Sequence, residues 1–106
     1  MAEFRITSEG PRAFLVAGEL DMAGAPAVDA AAAQSAGLRG PIMVDASDMT
    51  FADVVGIRAF LDWADALPSG CIILHGVSAL VARIVGLMGD GRRNLHVLPH
   101  DVVAVA

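Results

Sequence analysis

An α/β domain with a small mixed β-sheet and flanking helices, in the order β-β-α-β-α-β-α-β, is what this sequence predicts, and three observations carry the reading. Two strand-like segments at 3–8 and 13–17 are separated only by the turn Glu9-Gly10-Pro11. Beyond them, apolar runs of strand length at 41–44, 71–75 and 95–98 alternate with stretches of helical periodicity. The chain has 106 residues, 56% of them hydrophobic, enough for one domain spanning 1–106 with its own core and no disulfide or metal staple. Alternation of strands and helices implies right-handed crossovers and a largely parallel sheet, to which the opening hairpin adds an antiparallel pair.

Each element has a local cause. Residues 3–8, Glu-Phe-Arg-Ile-Thr-Ser, alternate in polarity as an edge or half-buried strand does, and 13–17 pair back onto them. Gly18-Glu-Leu-Asp21 closes that strand, and Met22-Ala-Gly-Ala25 leads to Pro26, which a first helical turn tolerates because its missing N–H has no partner there anyway. Residues 27–36 are alanine-rich and helical by propensity, ending at Gly37. The strand at 41–44 runs into the loop Asp45-Ala-Ser-Asp-Met-Thr-Phe-Ala-Asp53, after which Ile57, Phe60, Leu61, Ala64 and Leu67 recur at helical spacing. Asp53, just ahead of that helix, has the short carboxylate that accepts hydrogen bonds from free first-turn amides and suits the positive end of the dipole. The helix from Val54 to about Leu67 carries Arg58, Asp62 and Asp65 on its polar face and stops at Pro68-Ser-Gly70. The order Arg58 then Asp62 is the weaker one for a helical pair. Ser78 caps a helix at 79–88, whose inner face is read as Leu80, Val81, Ile84, Leu87 and Met88. Gly89-Asp-Gly91 is a turn, 95–98 the last strand, and 101–106 have no assignment. No internal repeat, low-complexity tract or linker interrupts the chain.

Charge and cysteine usage narrow the function classes. The net charge is −5, every basic residue is arginine, and no basic cluster exceeds Arg92-Arg93, so no footprint for nucleic acid is visible. An acidic domain suits a partner with a basic surface, although the same charge also serves solubility. Cys71, the only cysteine, lies in an apolar run and reads as a buried structural thiol. Residues 1–10 hold two glutamates and an arginine, unlike a secretory leader. The most membrane-like segment, 71–88, contains Arg83, which costs about 2.5–3.5 kcal/mol at a bilayer centre. A cytoplasmic protein without direct membrane insertion is expected.

Chemistry-bearing motifs are sparse. Gly86-Leu-Met-Gly-Asp-Gly91 has the look of a phosphate loop but falls at a helix end, where free carbonyls rather than amides are presented. His96 and His100 do not converge on a strand, and His75 ends another. Asp45, Asp48 and Asp53 could hold a hard cation, but capping and turns use the same residues more often. With no nucleophile elbow or base pair in sight, no enzyme, metal or cofactor is expected.

Gly18-Glu-Leu-Asp21, Ile42-Met-Val-Asp45 and Met49-Thr-Phe-Ala-Asp-Val-Val-Gly-Ile57, in that order, resemble the STAS family, whose best-known members are anti-sigma factor antagonists. The later Val77-Ser-Ala-Leu-Val-Ala-Arg-Ile84 resembles a further family segment, with Ala79 in place of the usual proline. The resemblance covers nearly the whole chain and implies a small mixed sheet flanked by helices. In phospho-regulated members the loop ends Asp-Ser-Ser-Gly or Asp-Ser-Thr-Gly. The hydroxyl before the glycine is phosphorylated there, which releases a serine kinase that also holds the sigma factor. Here Asp53 and Gly56 match, but Val54 and Val55 stand between them, so the resemblance leaves no phospho-acceptor at position 55. Ser47, Thr50 and Ser78 are the nearby hydroxyls.

The leading expectation is a non-catalytic regulatory module that binds an anti-sigma factor or serine-kinase type of protein without phosphorylation at the usual position. Its contact residues are read as Asp21, Met22, Thr50, Phe51, Asp53, Val54, Val55, Gly56 and Arg58. Blander roles stand beside these: Asp21 as a turn residue, Phe51 as an inward anchor, the valines as early core, Arg58 as a solvated face. Alternative functions are an accessory subunit of a transport ATPase and a small-ligand or nucleotide sensor. A homo-oligomer is compatible with all three.

Overall fold

Five strands and three helices follow one another in the expected order, in a computed structural model that describes residues 3–67, 70–88 and 94–99. The turn at 89–91, the helix stop at 68–69, Arg92-Arg93, His100 and the tail at 101–106 lie outside the described residues. The strands are β1 (Arg5–Gly10), β2 (Ala13–Leu20), β3 (Gly40–Ala52), β4 (Gly70–Val77) and β5 (Leu95–Pro99). The helices are α1 (Ala25–Gln34), α2 (Val54–Ala66) and α3 (Ala79–Met88). The sheet is mixed, in sequential order β1-β2-β3-β4-β5, with β1 antiparallel to β2 and all later neighbours parallel. Each parallel step is one β-α-β crossover to the adjacent strand, so α1, α2 and α3 lie side by side, α2 touching both neighbours. Along β2 every second residue is buried beneath them, Phe14, Val16 and Leu20 among the buried side chains.

The core is anchored where α1 meets α2. Trp63 is buried edge-on against Phe14, with ring centroids 5.2 Å apart, and stacks on Phe60 at 5.9 Å. Its indole Nε1–H donates to Ser35 Oγ at 2.8 Å, while that hydroxyl donates back to the carbonyls of Ala31 and Ala32. Ser35 is thereby the buried polar residue that closes the end of α1, fully satisfied. Sequence pattern gave no sign of this bond, because a serine near a helix end is ordinarily read as solvated.

Three expectations are corrected. Residues 45–52 are strand rather than loop: β3 continues to Ala52 by absorbing two extra residues against β2, between Asp45 and Asp48 and between Met49 and Phe51. Each bulge resets which face is inward, so the buried positions run Ile42, Val44, Ala46 and then Met49, Ala52. β2 correspondingly extends to Leu20, and Gly18, at φ 89°, supplies the backbone bend opposite the second bulge. On α3 the inner face is Val81 and Val85, with Ile84 and Met88 partly covered; Leu80 and Leu87 point outward at 65% and 77% exposure. Seven residues apart, those two leucines share a stripe, but a ten-residue helix on a sheet has room to bury only one. Cys71 is half-buried rather than buried, at the start of β4.

Candidate functional site

The predicted contact residues gather at the carboxyl ends of β2 and β3. Leu20 and Ala52 are paired at the last register position of the two strands, and the Asp53 amide donates to the Leu20 carbonyl at 2.9 Å. The turn beginning at Asp21 and the helix beginning at Val54 therefore leave the sheet side by side. Asp53 caps α2 as its sequence position implied: extended backbone, and Oδ1 accepting the Gly56 amide at 2.8 Å. Gly56 is required there by space as well. A Cβ at this position would lie 2.4 Å from Leu20 Cγ and 3.0 Å from the Leu20 carbonyl oxygen, and Leu20 is wholly buried. The absent side chain lets the start of α2 settle onto the end of β2.

Around this junction the surface is apolar. Met22 is 70% exposed, Val54 55%, Phe51 48% and Val55 45%. Phe51 is thus no inward anchor: it sits at the second β3 bulge, opposite Glu19, and faces solvent while Met49 and Ala52 take the core positions. Nor are the valines early core, because the capped first turn directs them outward and leaves Gly56 and Ile57 as the buried pair. Thr50 is exposed beside them, and Arg58 is exposed one turn farther along α2. Asp21 has a turn role: its carboxylate Oδ1 accepts the Ala23 amide at 3.0 Å and its carbonyl the Gly24 amide at 2.9 Å.

A second polar cluster lies one bulge back along β3. Ser47 donates from Oγ to Asp45 Oδ1 at 2.6 Å, and its backbone N–H donates to the same oxygen at 3.0 Å. The hydroxyl first, and then the amide, hold the Asp45 carboxyl below the usual carboxylate range; the nearby His75 helps and partial burial opposes. A depressed native pKa contributes stability that is fully present above the unfolded value, about pH 4, and is lost as the pH falls through the native value. Ser47→Ala removes the larger donor. Urea melts are expected to show the variant less stable by similar amounts at about pH 5 and 6, with the deficit shrinking below about pH 4. A deficit that widens on acidification contradicts this account of Asp45. Ser78, the remaining hydroxyl of interest, accepts the Val81 amide as the cap of α3.

Among the described residues no group of three or more histidine, cysteine or acidic side chains is placed to hold a metal ion, and no helix is long and apolar enough to cross a membrane. No curated protein matches the chain in sequence. Among solved structures, the anti-sigma factor antagonist SpoIIAA in its unphosphorylated form is similar to it, with a TM-score of 0.59 over 77% of this chain and 80% of the other. At 17% identity that likeness speaks for the fold: the same mixed sheet and helices. The family model described as "Mlab, STAS domain" matches residues 8–98, a span that takes in both strand ends, the Asp53 cap and α3. The chain belongs to the STAS family.

Proposed function

We propose that this protein is a non-catalytic STAS module that binds a regulatory protein of the anti-sigma factor or serine-kinase type. The contact runs through the Asp21–Met22 turn, the end of β3 and the first turns of α2, and it operates without phosphorylation at position 55. The observation that carries this reading is the exposed apolar patch of Met22, Phe51, Val54 and Val55 around a capped helix start, with valine where phospho-regulated relatives carry a hydroxyl. Exposed apolar clusters with a polar rim mark contact sites more often than chance exposure. Asp53, half-buried, and the outward Arg58 supply that rim. A sequential strand order also lacks the reversal at which open α/β sheets form a ligand crevice. A cleft beside the Asp21 turn has acidic residues and no basic one in its lining, which offers nothing to pair with the phosphates of a nucleotide and weighs against the sensor alternative.

A second reading, an accessory subunit of a transport ATPase, draws support from the same two valines. A contact with nothing to modify suits a permanent assembly, and permanent interfaces are the more apolar ones. Affinity capture from the source cell, with the recovered partner identified by mass spectrometry, separates the two: a kinase or anti-sigma factor supports the first, an ATPase or permease the second. The captured partner then allows stability and binding to be resolved at Asp53. Asp53→Ala is expected to cost about 0.5–2 kcal/mol of stability, and Asp53→Ser to restore most of it, since either side chain oxygen caps the Gly56 amide. If the carboxylate also meets a basic partner, the serine variant melts like the parent but binds less well in calorimetry. Equal affinity for the serine variant and the parent confines Asp53 to its structural role.

A further inference from the structure

The helices occupy one face of the sheet and leave the other bare among the described residues. Each crossover steps to the next strand in the same direction, and right-handed crossovers that do so keep their helices on one side. Val16, Val44 and Leu74 face the helices and are buried, whereas Leu15, Met43, Ile73 and Leu98 on the opposite face are half-buried or exposed. A largely parallel sheet is ordinarily covered on both faces. Register sets the bare-face residues in two rows across β2 to β5. One row is Ala13, Met43, Ile73 and His96; the next is Leu15, Asp45, His75 and Leu98. The face is thus apolar at Met43, Ile73, Leu15 and Leu98, with one carboxylate beside one imidazole at its middle.

We infer that this face docks a second copy of the chain, about a two-fold axis that runs along the strands between β3 and β4. Such an axis lays β3 of one copy over β4 of the other, and β2 over β5. Met43 then meets Ile73, Leu15 meets Leu98 and Asp45 meets His75, each contact occurring twice. Apolar side chains meet apolar ones, and carboxylate meets imidazole. Neighbouring axes lack this match. An axis along β3 sets Asp45 on its own image, although Ser47 holds that carboxyl ionised. One between β2 and β3 sets Leu15 on Asp45, and one along β4 sets Asp45 on Leu98, a charge without a partner in either case. An axis along β2 leaves Ile73 and Leu98 uncovered. Aligned sheets pack about 10 Å apart with about 30° between their strands, so the fit is closest near the axis, at Met43, Ile73, Asp45 and His75. The overlap is four strands, about 19 Å wide and about 17 Å long. Its footprint is smaller than the roughly 800 Å² per partner of a standard interface, so the dimer dissociates on dilution. The axis preserves strand direction and leaves both α2 patches outward at one end. On the reading of that patch proposed above, the dimer offers a symmetric partner two contacts at once.

Sedimentation equilibrium of the full chain from about 1 μM to about 1 mM, the span of weak association, tests this. The weight-average mass is expected to climb from monomer towards dimer. Met43→Arg, at an exposed site that fills no core position, is expected to melt like the parent and to weaken association about tenfold or more. Complementary variants test the register. Asp45→Arg brings its new cation onto the other copy's imidazole, and His75→Glu brings its new carboxylate onto the other copy's aspartate. Each alone is therefore expected to stay monomeric. In an equal mixture the introduced arginine meets the introduced glutamate, the remaining His75 meets the remaining Asp45, and a heterodimer is expected. Melting curves accompany all three variants; where the charge variants do not fold, Met43→Arg decides alone. A parent that stays monomeric throughout overturns the proposal, as does a dimer that Met43→Arg leaves unchanged. Folded charge variants that fail to associate when mixed overturn it as well. Val55→Asp is expected to dimerise as the parent does; a dimer abolished by that change belongs to the α2 patch and overturns the assignment to this face.

Discussion

Trp63→Ala is expected to lower the stability by about 3–5 kcal/mol, the usual range for truncating a buried aromatic. For a domain of this size that corresponds to a fall in Tm of more than about 10 °C. The indole is 2% exposed, touches the rings of Phe14 on β2 and Phe60 on its own helix, and is held at its polar edge by Ser35. It therefore joins α1, α2 and the sheet at one point, and its loss opens a cavity that none of the three can close alone. Two smaller changes divide the effect. Trp63→Phe keeps most of the apolar contact but drops the N–H···O bond, while Ser35→Ala strands the indole N–H in the core at about 1–3 kcal/mol. Denaturant melts of the two single variants and the double variant should show coupling, since both act through one hydrogen bond. Additive losses are the result that contradicts a shared bond as the link between α1 and α2. A total loss under about 2 kcal/mol in Trp63→Ala contradicts the assignment of Trp63 as the joint.

The core and the candidate patch were legible in the sequence to different degrees, and for different reasons. Helices α2 and α3, the hairpin, and the Asp53 cap follow from period and capping chemistry alone, because local preference and tertiary packing agree there. β3 was legible only as far as Val44. Its second half breaks the two-residue alternation at Ser47-Asp48 and again at Thr50-Phe51, and a broken alternation reads as loop. The bulges are a property of pairing with β2, so only the partner strand reveals that 45–52 stay in the sheet. The doubling of polar residues at 47–48, three positions before a second exposed pair, was the available signal. α3 failed differently: five of its apolar residues fit a wide inner stripe, but the short helix buries only the narrow part centred on Val81 and Val85. At the site, Gly56 matched a family motif before its cause was visible, and that cause is Leu20, thirty-six positions earlier in the chain, pressing on the helix start. The acidic cleft was not legible at all, since Glu3 and Glu19 come together only through the β1–β2 hairpin.

Val55→Asp is expected to weaken binding of the captured partner by about a hundredfold or more while leaving the fold intact. Val55 is 45% exposed in the first turn of α2, and its side chain fills no core position, so polar replacement there exposes no cavity. The free amides and positive dipole end of the helix also favour a carboxylate at that place. Stability is accordingly expected to change by no more than about 0.5 kcal/mol. Binding is different, because a contact that covers Met22, Phe51, Val54 and Val55 strips water from the introduced charge beside the Asp53 carboxylate. Val55→Ala loses only contact area and should cost less than tenfold. Val55→Ser restores a hydroxyl at the place where phospho-regulated relatives carry one. It is expected to fold, to accept phosphate from a suitable partner kinase, and to bind that partner poorly once it carries the extra charge of about −1.5 to −2. Phosphate transferred to the parent protein at Ser47 or Thr50, found by mass spectrometry, would contradict phosphate-independent action. The decisive measurement is calorimetry of each variant with the captured partner, alongside its Tm. A Val55→Asp protein that melts like the parent and binds as tightly removes the start of α2 from the interface, and with it the main support for the regulatory reading.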